Sequence, residues 1–154
     1  MTKIAKSDFY MIDLTDTMPC SADDLINAKN RNLAEVRKIN FSARSLSEKN
    51  LVTWSRKLSN TWELFLCSNA SLIDEVACQR ILESGLTRVG FYLESTDVDL
   101  QLQLREGEEP EKILRCFEMI KKRRPDIATV IHTHFLEENK NNLVQLVSFV
   151  KDHP

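Results

Sequence analysis

Short apolar runs alternate with stretches of helical period along the whole chain. Phe9–Leu14 (FYMIDL), the run around Ile39–Phe41 (KINFS), Trp62–Ser68 (WELFLCS), Arg88–Ser95 (RVGFYLES) and Ile127–Phe135 (IATVIHTHF) are each of strand length and rich in aromatic and β-branched residues. Between them lie helical faces. Ser21 and Asp24 have capping-box spacing ahead of a polar helix, and Ser45 and Glu48 repeat it before Leu51, Trp54 and Leu58. Ser71 and Asp74 cap a face of Ile73, Val76, Ala77 and Ile81, with Gly85 as a left-handed stop. Pro110 suits a first helical turn, Ile113, Leu114, Phe117 and Ile120 follow it, and Pro125 ends the segment. Leu143, Leu146, Val147 and Val150 give the last helix its buried side.

One stretch conflicts with this rhythm. In Asp97–Glu106 (DVDLQLQLRE), Val98, Leu100, Leu102 and Leu104 alternate with polar residues, which is the period of a strand. An extra edge strand or hairpin is one reading, and a short helical turn is the other. The rest of the pattern predicts one α/β domain over residues 1–154, with five parallel strands alternating with helices. Ligands of such sheets gather beyond the carboxyl ends of the strands. The loops after Leu14, Phe41, Cys67, Glu94 and His134 therefore become the ones of interest.

Composition narrows the functions. Net charge is −2 with 29% charged residues, so there is no basic excess of the kind that marks a nucleic-acid surface. Lys121, Lys122, Arg123 and Arg124 precede Pro125 and read as the basic last turn of a helix. No apolar stretch has the length of a membrane span, and the first ten residues lack a signal-peptide core, so a cytoplasmic protein is expected. Only three glycines occur, too few and too scattered for a phosphate-binding loop. Four cysteines, Cys20, Cys67, Cys78 and Cys116, have neither C-x-x-C nor secreted spacing and are expected as thiols.

From Leu64 to Pro154 the order of signals resembles the middle of a radical S-adenosylmethionine (radical SAM) barrel. The stretch LFLCSNASLIDEVACQRILESGLTRVGFYLES is similar to that family's strand, turn, helix and acid-ended strand. Ser68, Asn69 and Ala70 stand at its turn, and Glu94 takes the place of its usual aspartate. LREGEEPEKILRCFEMIKKRRPDI is similar to the arginine-glycine segment and next helix, which places Arg105 at the family's arginine, and ENKNNLVQLVSFVKD resembles the helix after the fifth strand. The resemblance implies a partial barrel, with Asn69, Glu94 and Arg105 at cofactor-binding positions. The first third departs from the family. Its cluster loop has three cysteines in C-x-x-x-C-x-x-C, whereas the loop here has Cys20 alone. Where the family has Gly-Gly-Glu-Pro, Phe41–Ser47 (FSARSLS) has no glycine or acid. Neither a [4Fe-4S] cluster nor S-adenosylmethionine is expected, and a family barrel usually has six strands rather than five.

The remaining candidates have chemical and plain readings. His132 and His134 form H-x-H on a strand, so both point to one face, where Cys20, Cys67 and Glu94 would complete a metal shell. The plainer reading is that the histidines satisfy backbone groups at a strand end. Cys20 and His134 have the residue types of a nucleophile and its base, against the simpler role of a small buried thiol. Cys78 and Cys116 fall within helices and read as core. Glu94, Ser95, Asp97 and Glu106–Glu109 cluster near one loop, and acids before Pro110 complement a helix start. The expected function is a non-catalytic, pseudoenzyme-like binding or accessory domain for a peptide or partner enzyme. The exposed edges of an open barrel are to be covered by a second copy or a partner protein. The alternatives are a small metal-dependent or cysteine enzyme using Cys20, His132 and His134, or one half of a split radical SAM enzyme.

Overall fold

The computed structural model describes residues 9–12, 20–32 and 36–152. Five strands form one all-parallel sheet in sequence order: β1 (Phe9–Ile12), β2 (Lys38–Phe41), β3 (Glu63–Ser68), β4 (Arg88–Tyr92) and β5 (Ala128–His132). Six helices join or follow them: α1 (Ala22–Asn32), α2 (Leu51–Leu58), α3 (Glu75–Glu83), α4 (Val98–Leu104), α5 (Pro110–Arg123) and α6 (Leu143–Asp152). This is the expected α/β partial barrel. The expected end of the first strand at Leu14 lies outside the described residues.

Register assigns the two faces. Ile39 pairs with Leu64, Phe41 with Leu66, Leu66 with Val89, and Phe91 with Ile131. The side chains of this set point toward the helices, and Leu64, Leu66, Val89 and Phe91 are fully buried. Phe91 meets Phe117 of α5 with ring centroids 5.5 Å apart. The alternate set, Asn40, Phe65, Cys67, Gly90, Tyr92, Val130 and His132, points to the inner face, and apart from Gly90 its members are only half-buried. A fully buried apolar side chain contributes about 1.5–3 kcal/mol, so the helix-covered face supplies most of the stability.

Several caps match the sequence pattern. Asp24 Oδ2 accepts from the Ser21 amide at 2.7 Å, and Ser21 Oγ accepts from the Asp24 amide at 3.2 Å, closing the first capping box. Asp74 is itself the N-cap of α3, with Oδ1 accepting from the Ala77 amide at 2.6 Å. Pro110 opens α5, and Lys121, Lys122 and Arg123 fill its last turn.

Others are corrected. Ser45 lies buried inside a 3-10 turn over Ala43–Ser47, and α2 starts later, after Asn50. Ser71 sits in a second such turn, Ala70–Leu72. Gly85 has no left-handed conformation; Gly107, at φ 74°, is the glycine with positive φ among the described residues. Gly85 is needed instead for close approach, because a Cβ there would stand 2.5 Å from the Ser55 carbonyl oxygen. Val76 is 56% exposed, since α3 packs on Ala77, Cys78, Ile81 and Leu82. Val147 and Val150 are exposed as well, and α6 is anchored through Leu146, with Leu143 and Phe149 partly buried.

Of the two readings left open for Val98–Leu104, the helical one holds and the strand does not: the segment is α4. Asp97 caps it, with Oδ1 accepting from the Leu100 amide at 2.9 Å. Gln101, not an alternate leucine, is its fully buried residue, and Val98 and Leu102 are exposed. Period two misled because the anchor of this helix is polar.

Candidate functional site at the β4 and β5 strand ends

Beyond the carboxyl ends of β4 and β5 a polar network is built around Glu94, which is 1% exposed. Parity carries Gly90, Tyr92 and Glu94 to the inner face. Glu94 Oε1 accepts from Arg105 Nε at 2.7 Å and lies 2.7 Å from His134 Nδ1. Its Oε2 accepts from the His134 amide at 2.7 Å and from the Thr133 hydroxyl at 3.1 Å. Burial pushes the Glu94 carboxyl up. The bonds from the His134 side chain and backbone, Arg105 and Thr133 outweigh it and leave the carboxyl below its ordinary value.

The backbone here is fixed by two buried amides. Gln101 Oε1 accepts from the amides of Glu94 and Ser95, at 2.8 and 3.1 Å. Asn139 Nδ2 donates to the carbonyls of Glu94 and His134, at 3.0 and 2.9 Å, while its Oδ1 accepts from the Leu136 amide. Together they hold the two strand ends in register without a further strand. Arg105 follows α4 directly, so the helix that Gln101 anchors also aims the guanidinium.

Tyr92 is the floor of the site. The Arg105 guanidinium carbon lies 4.3 Å from its ring centroid, and the His134 ring stacks against it at 5.5 Å and 6°. Burial pushes the Cys67 thiol up, and the neighbouring Cys67, with burial, pushes the Tyr92 hydroxyl up. His132 packs between Phe65 and Tyr92, with centroids at 5.6 and 5.7 Å. A Cβ at Gly90 would stand 2.8 Å from the His132 ring, so Gly90 makes the notch that the imidazole fills. His132 Nε2 is buried without a partner, and burial, then the neighbouring His134, lowers its proton affinity.

Glu108 is a second buried carboxylate. Its Oε1 lies 3.7 Å from Arg105 Nη1, and its Oε2 has no partner. Burial raises its pKa, against the pull of Arg105 and the Ala70 amide.

Of the expected site residues, the structure joins Glu94, Arg105 and His134, and sets Cys67 and His132 beside Tyr92. Asn69 sits at the start of the Ala70–Leu72 turn without a side-chain cap bond. Among the described residues, no group of three His, Cys, Asp or Glu side chains converges as a metal shell. Sequence reading passed over Tyr92, Gln101, Thr133 and Asn139. For Tyr92 a signal existed, since it lies two residues before Glu94 and shares its face. Gln101 and Asn139 left none.

The order of these pieces has a counterpart among known proteins. The radical SAM superfamily profile matches residues 25–150. The chain belongs to the radical SAM superfamily. No curated protein matches it. Among solved structures, Streptococcus suis SuiB bound to S-adenosylmethionine superposes with a TM-score of 0.69 at 12% identity, over 94% of this chain and 36% of that one. That likeness is one of fold, and this radical SAM chain spans about a third of the length of the protein it matches.

The donor set of this radical SAM domain does not fit a cubane cluster. Cys67 faces the inner side, Cys78 and Cys116 lie between α3 and α5 on the helix side, and the stretch from Ile12 to Ala22 has Cys20 as its one cysteine. A cluster needs three thiolates from one loop to leave an iron free for a substrate. No helix among the described residues is long and apolar enough to cross a membrane.

Proposed function

We propose that this chain is a non-catalytic, pseudoenzyme-like radical SAM partial barrel, working in the cytoplasm as a binding or accessory domain for a peptide or a partner enzyme. One observation carries the reading. The strand-end frame has Glu94 holding both Arg105 and the β5 end, while the sequence between β1 and α1 carries a single cysteine, Cys20. On this reading Arg105 and Glu94 serve to build a ligand-presenting rim. S-adenosylmethionine is not its ligand, because Phe41–Ser47 supplies no acid for the methionine amine. The open edges of β1 and β5 are covered by a second copy or by the partner, which includes the case of a split enzyme whose other half brings the cluster.

Anaerobic incubation with iron and sulfide tests it. The expected result is no visible cluster absorption and no bound iron, with sedimentation showing a dimer or a complex with the product of a neighbouring gene. Stoichiometric iron together with reductive cleavage of S-adenosylmethionine would overturn it.

A second reading, a small metal-dependent or cysteine enzyme, draws on the Glu94–His134 bond. A carboxylate at Nδ1 orients an imidazole with Nε2 outward, as in many metal ligands. Elemental analysis separates the two: zinc or iron lost in a His132→Ala, His134→Ala variant would favour the enzyme.

A further inference from the structure

On its helix side β5 is less covered than β3 and β4. There it presents Thr129, which is exposed, and Ile131, which is half-buried, whereas Leu64, Leu66, Val89 and Phe91 are fully buried. Among the described residues no strand pairs with the outer edge of β5. The Ala128 amide donates to the Thr87 carbonyl and the His132 carbonyl accepts from the Leu93 amide, so the backbone groups of these residues face β4. By alternation, those of Thr129 and Ile131 face the open edge. The strand has no Lys, Arg, Asp, Glu or Pro to guard that edge.

An apolar flank of α6 overhangs the same space. Asn139 donates to the carbonyls of Glu94 and His134, which ties the start of α6 to the carboxyl ends of β4 and β5 and sends the helix back antiparallel to β5. Leu146 is buried in the core. At about 100° per residue, Val147 stands a quarter-turn on from Leu146, with Val150 and Val144 to either side of it. In a sheet ordered β1 to β5 by right-handed crossovers, that quarter-turn points away from α5 and over the space beside β5. Val144, Val147 and Val150 are 75, 55 and 42% exposed. Lys151 lies on the same flank, in the last turn of α6 and so toward the start of β5.

We propose that this overhang is a strand-docking site that takes an extended peptide segment as a sixth strand. The edge fixes an extended backbone, and the valine flank selects apolar side chains at alternate positions. Lys151 selects a carboxylate at the end beside the start of β5. A second copy does not fit, because a two-fold pairing of β5 with β5 brings two α6 overhangs into one gap. The peptide of the proposed function thereby gains a seat and a chemistry; its docking rests on that binding role but not on the absence of a cluster.

Residue-resolved amide exchange of the full chain, followed by NMR, tests the site with the blocked heptapeptide ESVTVTV. The expected result is slowed exchange at Thr129 and Ile131, a weaker effect with KSVTVTV, and none with ESTVVVT, which has the same composition without alternation. Val147→Asp should abolish the slowing, and Lys151→Glu should reverse the preference between the first two peptides; the second variant decides the question if the first fails to fold. Unchanged exchange at Thr129 and Ile131, equal effects of ESVTVTV and ESTVVVT, slowing at Phe9–Ile12 alone, or a dimer in which Thr129 and Ile131 are already protected would each overturn the site. Cluster assembly in the separate iron assay overturns the function proposed above and leaves this site standing, whereas an unprotected β5 in an iron-free chain overturns the site alone.

Discussion

The two faces of the sheet are built from alternate residues of the same strands, yet they obey different rules. On the helix side, Leu64, Leu66, Val89 and Phe91 are fully buried and almost wholly aliphatic or aromatic. On the inner side, Phe65, Cys67, Tyr92 and His132 form a half-open aromatic and polar lining, held at its rim by charge-assisted hydrogen bonds. One face is bound by area removed from water, the other by partners of fixed geometry. Because these two jobs sit on opposite faces, residues of the inner face can vary while the helix-covered face keeps the fold.

Substitutions on matched positions probe this division. Phe91→Ala should have the largest effect, lowering stability by about 3–5 kcal/mol in urea titration. Phe65→Ala, across the sheet, should cost less than half as much. Equal losses would mean that the inner face is covered in solution as fully as the outer one. Glu94→Gln should come next, at about 1–3 kcal/mol, through weakened bonds to Arg105 and His134.

Acid provides the same test without mutation. Because the folded Glu94 carboxyl is held below its ordinary value, the unfolded chain binds the proton more readily. Its contribution is complete above the usual carboxylate range and is lost as pH falls through the lowered value. The wild type should therefore lose stability on acidification more steeply than Glu94→Gln. Glu108 has the opposite sign, since burial raises it: its contribution is present at low pH and lost as pH rises. Glu108→Gln should stay within about 1 kcal/mol of wild type at neutral pH, as replacing an ill-paired buried carboxylate is cheap.

Two glycines complete the set. Gly85→Ala meets backbone, the Ser55 carbonyl, which cannot give way without moving a helix; a loss of about 1–3 kcal/mol is expected. Gly90→Ala meets the His132 imidazole, which can swing into the open inner face, so its cost should be smaller than that of Gly85→Ala. Thermal melts of the two variants side by side would check the order, and a reversed order would mean that His132 is held as firmly as backbone.

The alternation of apolar runs and helical faces was enough to predict the strands and their parallel order, because each buried strand repeats the same local rule. The Ser21–Asp24 box and the Pro110 start were equally local. The departures come from contacts that apolar periodicity does not carry. At Gly85 and along α6 the deciding contact is tertiary: Ser55 for Gly85, and the limited helix packing that leaves Val147 and Val150 exposed. At α4 the partner is near, since Gln101 binds the Glu94 amide seven residues back, but it is a polar contact that apolar periodicity does not register. At the site, Glu94, Arg105 and His134 were legible as residue types near strand ends. Their convergence, and the part of Asn139, were not, because Asn139 is forty-five residues from the Glu94 carbonyl that it binds.

By itself the sequence determined the α/β frame, the radical SAM likeness and the solitary cysteine after β1, all of which depend on order and spacing along the chain. Only the tertiary structure decided which polar groups meet. Glu94 became the keystone of the β4–β5 rim because hydrogen bonds act over a few ångströms in space and are indifferent to distance along the chain.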